Sequence, residues 1–419
     1  MTAPSGAPSG APSGTPSGAA APERVRVGLV GAGFAAGLHL RAYRACTAPG
    51  ARVVAIAGAH EARARAAADG FGIPDAYDDY RRLLDRPDVD VIDLCAPNHL
   101  HQQIALDALS AGKHLIVEKP LTGYFGGPDA ADPVGATSRA LMLRGALASA
   151  DAILAAAAAA GRRLMYAENF VYAPAIERAK GLVATAGAPI LEMRAQECHS
   201  GSHAAYARRW REAGGGALLR LGAHPIGAAL HLKRWEGERR TGQPTRLRSV
   251  SCEVADLTAT PAFRAADGAS RDWLVHDWED VESWACAVLT FEDGSRATCL
   301  AADTVLGGMD DTVHLYLPNA RINCNFTHST ALQVYAPDGA VFPGEPLQEK
   351  LSTNAGWSYP PLDMEYMLGY AAEIQDFVAA VAADRPPVSG GDLGRAVVEA
   401  IYAAYLAAET GRRVDLPAG

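Results

Sequence analysis

Gly31, Gly33 and Ala36 fall within Val25–Gly37, VRVGLVGAGFAAG, where an apolar run breaks into glycines and then into alanine-rich sequence. Small residues at these positions suit a phosphate-cradling turn. Gly31 permits a tight turn and Gly33 lets the backbone approach a pyrophosphate. Ala36 keeps the following helix close to its strand, so that the free N–H groups of the helix start face the anion. Phe34 and Ala35 complete the turn. Such a turn alone is a weak signal; strand–PNHLH and strand–EKP segments about sixty residues further on strengthen it.

A second constellation is Arg220-Leu-Gly-Ala-His224. On a continuous helix the i, i+4 spacing brings both side chains to one point. The imidazole of His224 titrates near neutrality and can accept a proton. A guanidinium stays protonated and cannot. With Arg220 nearby, the expected effect on His224 is a lowered pKa and a neutral, base-competent ring. Arg220 itself has three readings: binding a substrate carboxylate or phosphate, pairing with a local acid to support the site, or marking a protein that has lost activity.

Further polar residues cluster between these motifs. Cys198–His203 (CHSGSH) and the following Tyr206, Arg208, Arg209 and Trp210 form a polar loop with aromatic residues. His199 and His203 are four apart but lack a third ligand, so no metal is expected. A polyol site fits better, with His199 and Tyr206 as hydrogen-bonding groups and Trp210 as a flat apolar face. Glu168, Asn169 and Tyr172 in YAENFVYAP are expected to line the same cleft. Ordinary packing competes with these assignments.

The elements needed to position these residues can be read from the pattern. From Arg24 to about Met165, short apolar runs alternate with helical stretches. The expected strands are 25–30, 53–57, 91–96, 114–117 and 163–166; the helices include 35–46, 61–70, 77–84 and 102–111. That alternation predicts a doubly wound parallel sheet whose ligands sit at the carboxyl ends of the strands, near Gly31, Pro97 and Glu118. After Asn169, strands are expected at 190–197, 247–256, 283–291, 295–303, 312–317 and 332–335. Turns at Glu292-Asp293-Gly294 and Pro337-Asp338-Gly339 favour hairpins, hence a largely antiparallel sheet. Helices at about 363–383 and 392–410 close the chain. The expected domains are a dinucleotide-binding unit, 24–168, and a substrate-binding and oligomerisation α+β unit, 169–419. Residues 1–23, with APSG three times and then TPSG, form an expected disordered tail.

Bulk properties set limits. At 419 residues the chain suggests two domains, and 49% hydrophobic with 20% charged residues is ordinary globular composition. A net charge of −9 offers nothing to nucleic acid. No apolar stretch is expected to span a membrane; Ala152–Ala160 is too short and weakly apolar. The seven scattered cysteines, with no CxxC, suit reduced thiols in a cytoplasm.

The motifs VGLVGAGFAAGLHLRAY, CAPNHLH, AGKHLIVEKPL, GGGALLRLGAHPI and the ending GYAAEIQDFVAAVAADRPP…AIYAAYLAAETGRRVDLP resemble the Gfo/Idh/MocA family of NAD(P)-dependent sugar and polyol oxidoreductases, over about Arg24–Pro417. The resemblance implies a Rossmann domain followed by an open-sheet domain, a carbohydrate or polyol substrate, and a homodimer or homotetramer. It implies that Lys119 of EKP holds or polarises the reacting oxygen, with Glu118 pairing with and orienting Lys119. Pro97, Asn98 and His101 would line the cofactor near its nicotinamide end. The family's third motif reads D-x-G-x-H, so Arg220 replaces an aspartate while His224 is retained. After the second strand, where NAD-specific proteins carry an acid, this chain has Ala57-Gly58-Ala59-His60, with Arg63 nearby; both NAD and NADP remain open. A segment at about 122–147 is extra relative to the family and leaves from the site's rim, as a lid or subunit contact would. The leading expectation is hydride exchange with a secondary hydroxyl or ketone of a sugar, sugar acid or cyclitol. A glycosidase or lyase using bound NAD transiently, and a non-catalytic nucleotide- and sugar-binding regulator, are the alternatives.

Overall fold

The computed structural model describes residues 24–47, 49–327, 331–343, 347 and 349–417. The expected N-terminal tail lies outside these residues.

Strands β1 (Val25–Val30), β2 (Ala51–Ala57), β3 (Asp75–Tyr77), β4 (Val91–Leu94), β5 (His114–Glu118) and β6 (Leu164–Ala167) form a sheet in the order β3-β2-β1-β4-β5-β6. Every pairing in it is parallel. The strands are near-continuous apolar runs because helices cover both faces. Those helices include α1 (Phe34–Ala45), α2 (Glu61–Phe71), α3 (Arg81–Leu84), α4 (His101–Ser110) and α5 (Arg139–Ala160). The expected helix 77–84 shrinks to α3, because Asp75–Tyr77 pairs with β2 as an edge strand. Three residues carry too little periodicity to show that in sequence.

Helix α5 also corrects the membrane expectation. At 22 residues it is long and apolar enough to cross a bilayer. It packs instead against α4 and against α14 (Gly391–Thr410), and residues such as Met142, Ala146 and Ile153 are fully buried. Its first turns come from the extra segment 122–147, whose remainder is an irregular strap ending in a short turn at Val134–Ala136.

After α6 (Pro174–Ala186), β7 (Glu192–Cys198) opens a second sheet. Helices α7 (Trp210–Ala213), α8 (Ala217–Arg220) and α9 (Ala223–Thr241) precede β8 (Leu247–Ala255), and α10 (Pro261–Ala265) and α11 (Gly268–Arg271) follow it. Strands β9 (Trp284–Phe291), β10 (Arg296–Ala302), β11 (Asp310–Tyr316) and β12 (Arg321–Asn325) complete the run of pairings. With the final strand β15 (Val414–Asp415), the order is β12-β11-β7-β10-β9-β8-β15. Only β7–β10 is parallel. The Glu292–Gly294 turn closes the β9–β10 hairpin as its sequence predicts. The Pro337–Gly339 turn does not close one: β13 (Val334–Ala336) pairs with the distant β14 (Gly356–Ser358).

Along β7, Met193, Ala195 and Glu197 are buried while Arg194 is exposed, so the alternation turns one face inward toward α9. The expected helix 363–383 is two pieces, α12 (Met364–Leu368) and α13 (Tyr370–Ala382), broken at Gly369. Gly369 has φ +97°, and a Cβ there would lie 2.4 Å from the Asn169 carbonyl oxygen. Helix α13 packs on α1, and α14 packs on α5, α9 and β8, which ties the closing helices to both sheets.

Candidate active site

The dinucleotide turn has the geometry its residues demand. Gly31 has φ +117°, and a Cβ there would sit 2.4 Å from the Cys95 carbonyl oxygen, so only glycine fits between β1 and β4. A Cβ on Gly33 would meet nothing within 4 Å, leaving open space over the start of α1. No side chain caps that helix start. Its backbone N–H groups therefore face open space, an arrangement that fits a pyrophosphate. Ala36 is buried under the turn, Ala35 is half-buried and Phe34 is exposed beside it. At the end of β2, His60 is exposed at the start of α2, with Glu61 as the first acid after the strand.

The residues expected near the nicotinamide end divide. Pro97 is exposed on the rim. Asn98 is buried, and its Nδ2 donates to the Ala213 carbonyl at 2.8 Å. His101 is fully buried between the Pro120 and Ala96 carbonyls, at 2.8 and 2.9 Å. Both side chains brace loops; what they offer a cofactor is the loop shape.

Lys119 leaves the carboxyl end of β5 half-buried, and its Nζ donates to the Arg220 carbonyl at 2.6 Å. The expected Glu118–Lys119 side-chain pairing is not what forms. Glu118 Oε2 accepts the Lys119 backbone N–H at 2.8 Å, and Oε1 lies 3.2 Å from His39 Nε2.

His224, at the start of α9, meets a carboxylate on each side. Nδ1 lies 2.6 Å from Glu168 Oε1, Nε2 lies 3.6 Å from Glu197 Oε2, and the ring stacks on Phe170 at 4.8 Å. Glu168 follows β6 and is wholly buried, which pushes its carboxyl well above the usual range. Burial, and secondarily Lys119, push His224 down to about 4. The direction agrees with the expectation, but Arg220 is not the cause.

Arg220 and His224 do not share a helix face. Helix α8 ends at Arg220 and α9 begins at Ala223, so the side chains diverge. The Arg220 guanidinium forms a buried ion pair with Asp303 and lies 4.9 Å over the Trp278 ring. Of its three readings, the local ion pair is the one the geometry realises. His199 lies beside this pair, 3.8 Å from Asp303, and accepts the Gly201 N–H through Nδ1. Tyr206 is half-buried in the loop that follows.

Three expected substrate contacts are structural. Trp210 is fully buried, with Nε1 donating to the Tyr124 carbonyl, Arg139 over one ring and Tyr405 tilted against it. It has no face left for a sugar. Tyr172 donates to Asp376 and accepts the Ser389 N–H. Asn169 donates to the Leu368 carbonyl.

Sequence reasoning missed Glu197, Asp303 and Asp311. Glu197 and Asp311 stand directly opposite across β7 and β11, both buried. The available signal was an acid at an inward position of each strand alternation, where an apolar residue belongs.

A six-stranded parallel sheet and an uncapped helix start over an open glycine define a Rossmann fold with a dinucleotide-binding turn. Residues 25–132 match the Gfo/Idh/MocA family model, described as an oxidoreductase family with an NAD-binding Rossmann fold. Levoglucosan dehydrogenase of Pseudarthrobacter phenanthrenivorans is 43% identical over 105 residues, covering 24% of this chain and 27% of that protein. The match thus spans about a quarter of that relative. D-xylose 1-dehydrogenase (NADP(+)) 2 of Haloferax volcanii is 26% identical across 86% of this chain and 91% of its own. Among solved structures, GenD2 from gentamicin A biosynthesis, in complex with NAD, superimposes with a TM-score of 0.77 at 26% identity, over 96% of this chain and 99% of its own. Levoglucosan dehydrogenase with NADH and levoglucosan gives 0.71 at 24% identity, over 94% and 100%.

Proposed function

We propose that this protein is an NAD(P)-dependent dehydrogenase or reductase acting on a secondary hydroxyl or ketone of a neutral sugar or cyclitol. The observation that carries the reading is the convergence of Lys119 and the Glu168–His224 dyad beside the dinucleotide turn. Bound nicotinamide supplies the acceptor or donor of a hydride. The chain's own groups handle the proton.

With Glu168 protonated, its carboxyl donates to His224 Nδ1 and Nε2 carries the ring proton. That form gives a proton, as ketone reduction requires. Loss of one proton from the dyad leaves Nδ1–H donating to a carboxylate and Nε2 free to accept. That form suits alcohol oxidation. Lys119, an ammonium anchored by the Arg220 carbonyl, stabilises negative charge on the reacting oxygen.

Arg220 is already neutralised by Asp303, which disfavours the sugar-acid reading. The relatives named for levoglucosan and D-xylose agree with a neutral substrate. The domain division at about residue 168 and a homo-oligomer remain part of the proposal. The test is NAD(P)H formation at 340 nm with levoglucosan, D-xylose and myo-inositol, in parallel with glucuronate. Turnover of a neutral compound supports the reading; turnover of glucuronate alone overturns its neutral-substrate part, and turnover of none overturns the dehydrogenase.

A further inference from the structure

We propose that His39 is a positioning residue for Lys119, locking the helix that opens at the dinucleotide turn to the strand end that presents the lysine. The role of Lys119 itself rests on the dehydrogenase reading above.

His39 lies on α1 and is fully buried. Its Nδ1 lies 3.0 and 2.9 Å from the two Asp93 oxygens, at the end of β4. Its Nε2 lies 3.2 Å from Glu118 Oε1, at the end of β5. Glu118 then accepts the Lys119 backbone N–H through its other oxygen. The path Asp93–His39–Glu118–Lys119 thus crosses from helix to two strand ends through side chains buried from solvent.

An imidazole with a carboxylate at each nitrogen has no use for a lone pair; only the doubly protonated ring presents an N–H to each, hydrogen-bonded to Asp93 through Nδ1 and in ion-pair contact with Glu118 at Nε2. The groups facing it favour that form. Asp93 is held in turn by the Tyr43 hydroxyl at 2.9 Å, and Cys95 Sγ lies 3.5 Å from Nδ1. The Tyr370 ring packs at 6.3 Å, and Glu373 is buried on α13, its carboxyl held well above the usual range by burial and so adding little charge. His39 is accordingly raised well above its ordinary value despite burial, while Glu118 is lowered. Asp93, His39 and Cys95 cluster closely enough to suggest a metal. Yet 2.9 Å from Nδ1 to oxygen is a distance bridged by a proton; ligands on tetrahedral zinc with ~2.0–2.1 Å bonds stand roughly 3.3 Å apart.

Removing the cation leaves Glu118 buried without its counter-charge, so it takes up a proton and loosens its hold on the Lys119 N–H. The experiment is a double-mutant cycle on the full chain with His39→Gln, Glu118→Gln and the pair, reading kcat, KM and NADH affinity, with Tm measured alongside. Each single change is expected to lower kcat about tenfold or more and leave KM and NADH affinity within about threefold. The double variant is expected to be no worse than the poorer single. Multiplicative losses, or losses confined to NADH affinity or Tm, overturn the proposal. A second measurement needs no variant and no turnover. Nitrogen-15 NMR of the wild-type histidines should show His39 with both ring nitrogens protonated at pH 8; a neutral His39 overturns the proposal whether or not the protein oxidises a sugar.

Discussion

Lys119 and His224 reach the same point from different parts of the chain, one from a strand end and the other from a helix start. Replacing either with alanine should cut turnover by about 10²–10⁴-fold while NADH still binds, as steady-state kinetics and fluorescence titration would show. The dyad makes a sharper prediction. Burial raises Glu168, so the dyad keeps its extra proton above the ordinary carboxylate range. Oxidation should therefore rise with pH, and reduction fall, as that proton leaves. Glu168→Gln removes this titration and should move the acid limb of oxidation down toward about 4, where His224 alone titrates. An unmoved limb would show that Glu168 is not the group that titrates. Arg220 predicts a stability effect: Arg220→Ala strands Asp303 as a buried unpaired acid and should cost about 3–5 kcal/mol in urea denaturation. Lys119 and His224 could be singled out as candidates because their motifs are local in sequence. Glu197, Asp303 and His39 were not, since each gains its role from a partner on another element, His224, Arg220 and Asp93 respectively.

Among the elements, most of the longer ones were read closely and the shortest were not. Helix α1 and the strands β1, β2, β9 and β10 fall within two residues of their expected bounds. The three-residue β3 was missed, and the continuous helix expected at 363–383 is interrupted because Gly369 must pass close to the Asn169 carbonyl. Gly369→Ala should therefore destabilise by more than the ~1 kcal/mol by which alanine normally improves a helical glycine, and in the opposite direction. A thermal melt decides it. Trp210 shows why residue type alone misleads: an aromatic in a polar loop suits a sugar platform, but this one fills the junction between the 122–147 strap and α14. Trp210→Ala should cost about 3–5 kcal/mol of stability with little change in substrate KM among molecules that remain folded.

At the scale of the whole molecule, the strap links the two sheets. Tyr124 N–H donates to the Tyr402 hydroxyl, Gly135 N–H donates to Asp280, and Arg139 covers Trp210. The sequence placed this segment at the site's rim but could not show what it packs on, because its contacts lie beyond residue 200. These contacts make it a brace. The closing helices work in the same direction, α13 against α1 and α14 against the second sheet, so the dinucleotide turn and the proposed proton-transfer groups are held by one connected frame. The account stands on a dinucleotide lying over Gly33 within reach of that frame. The most direct test is a fluorescence titration with NADH and NADPH of the wild-type protein and of Gly33→Val, whose side chain would fill the open space. Saturable binding of at least one cofactor to the wild type, weakened at least tenfold in the variant, is the predicted result. Equal affinity in both proteins, or no binding to a wild type shown to be free of retained cofactor, would contradict it.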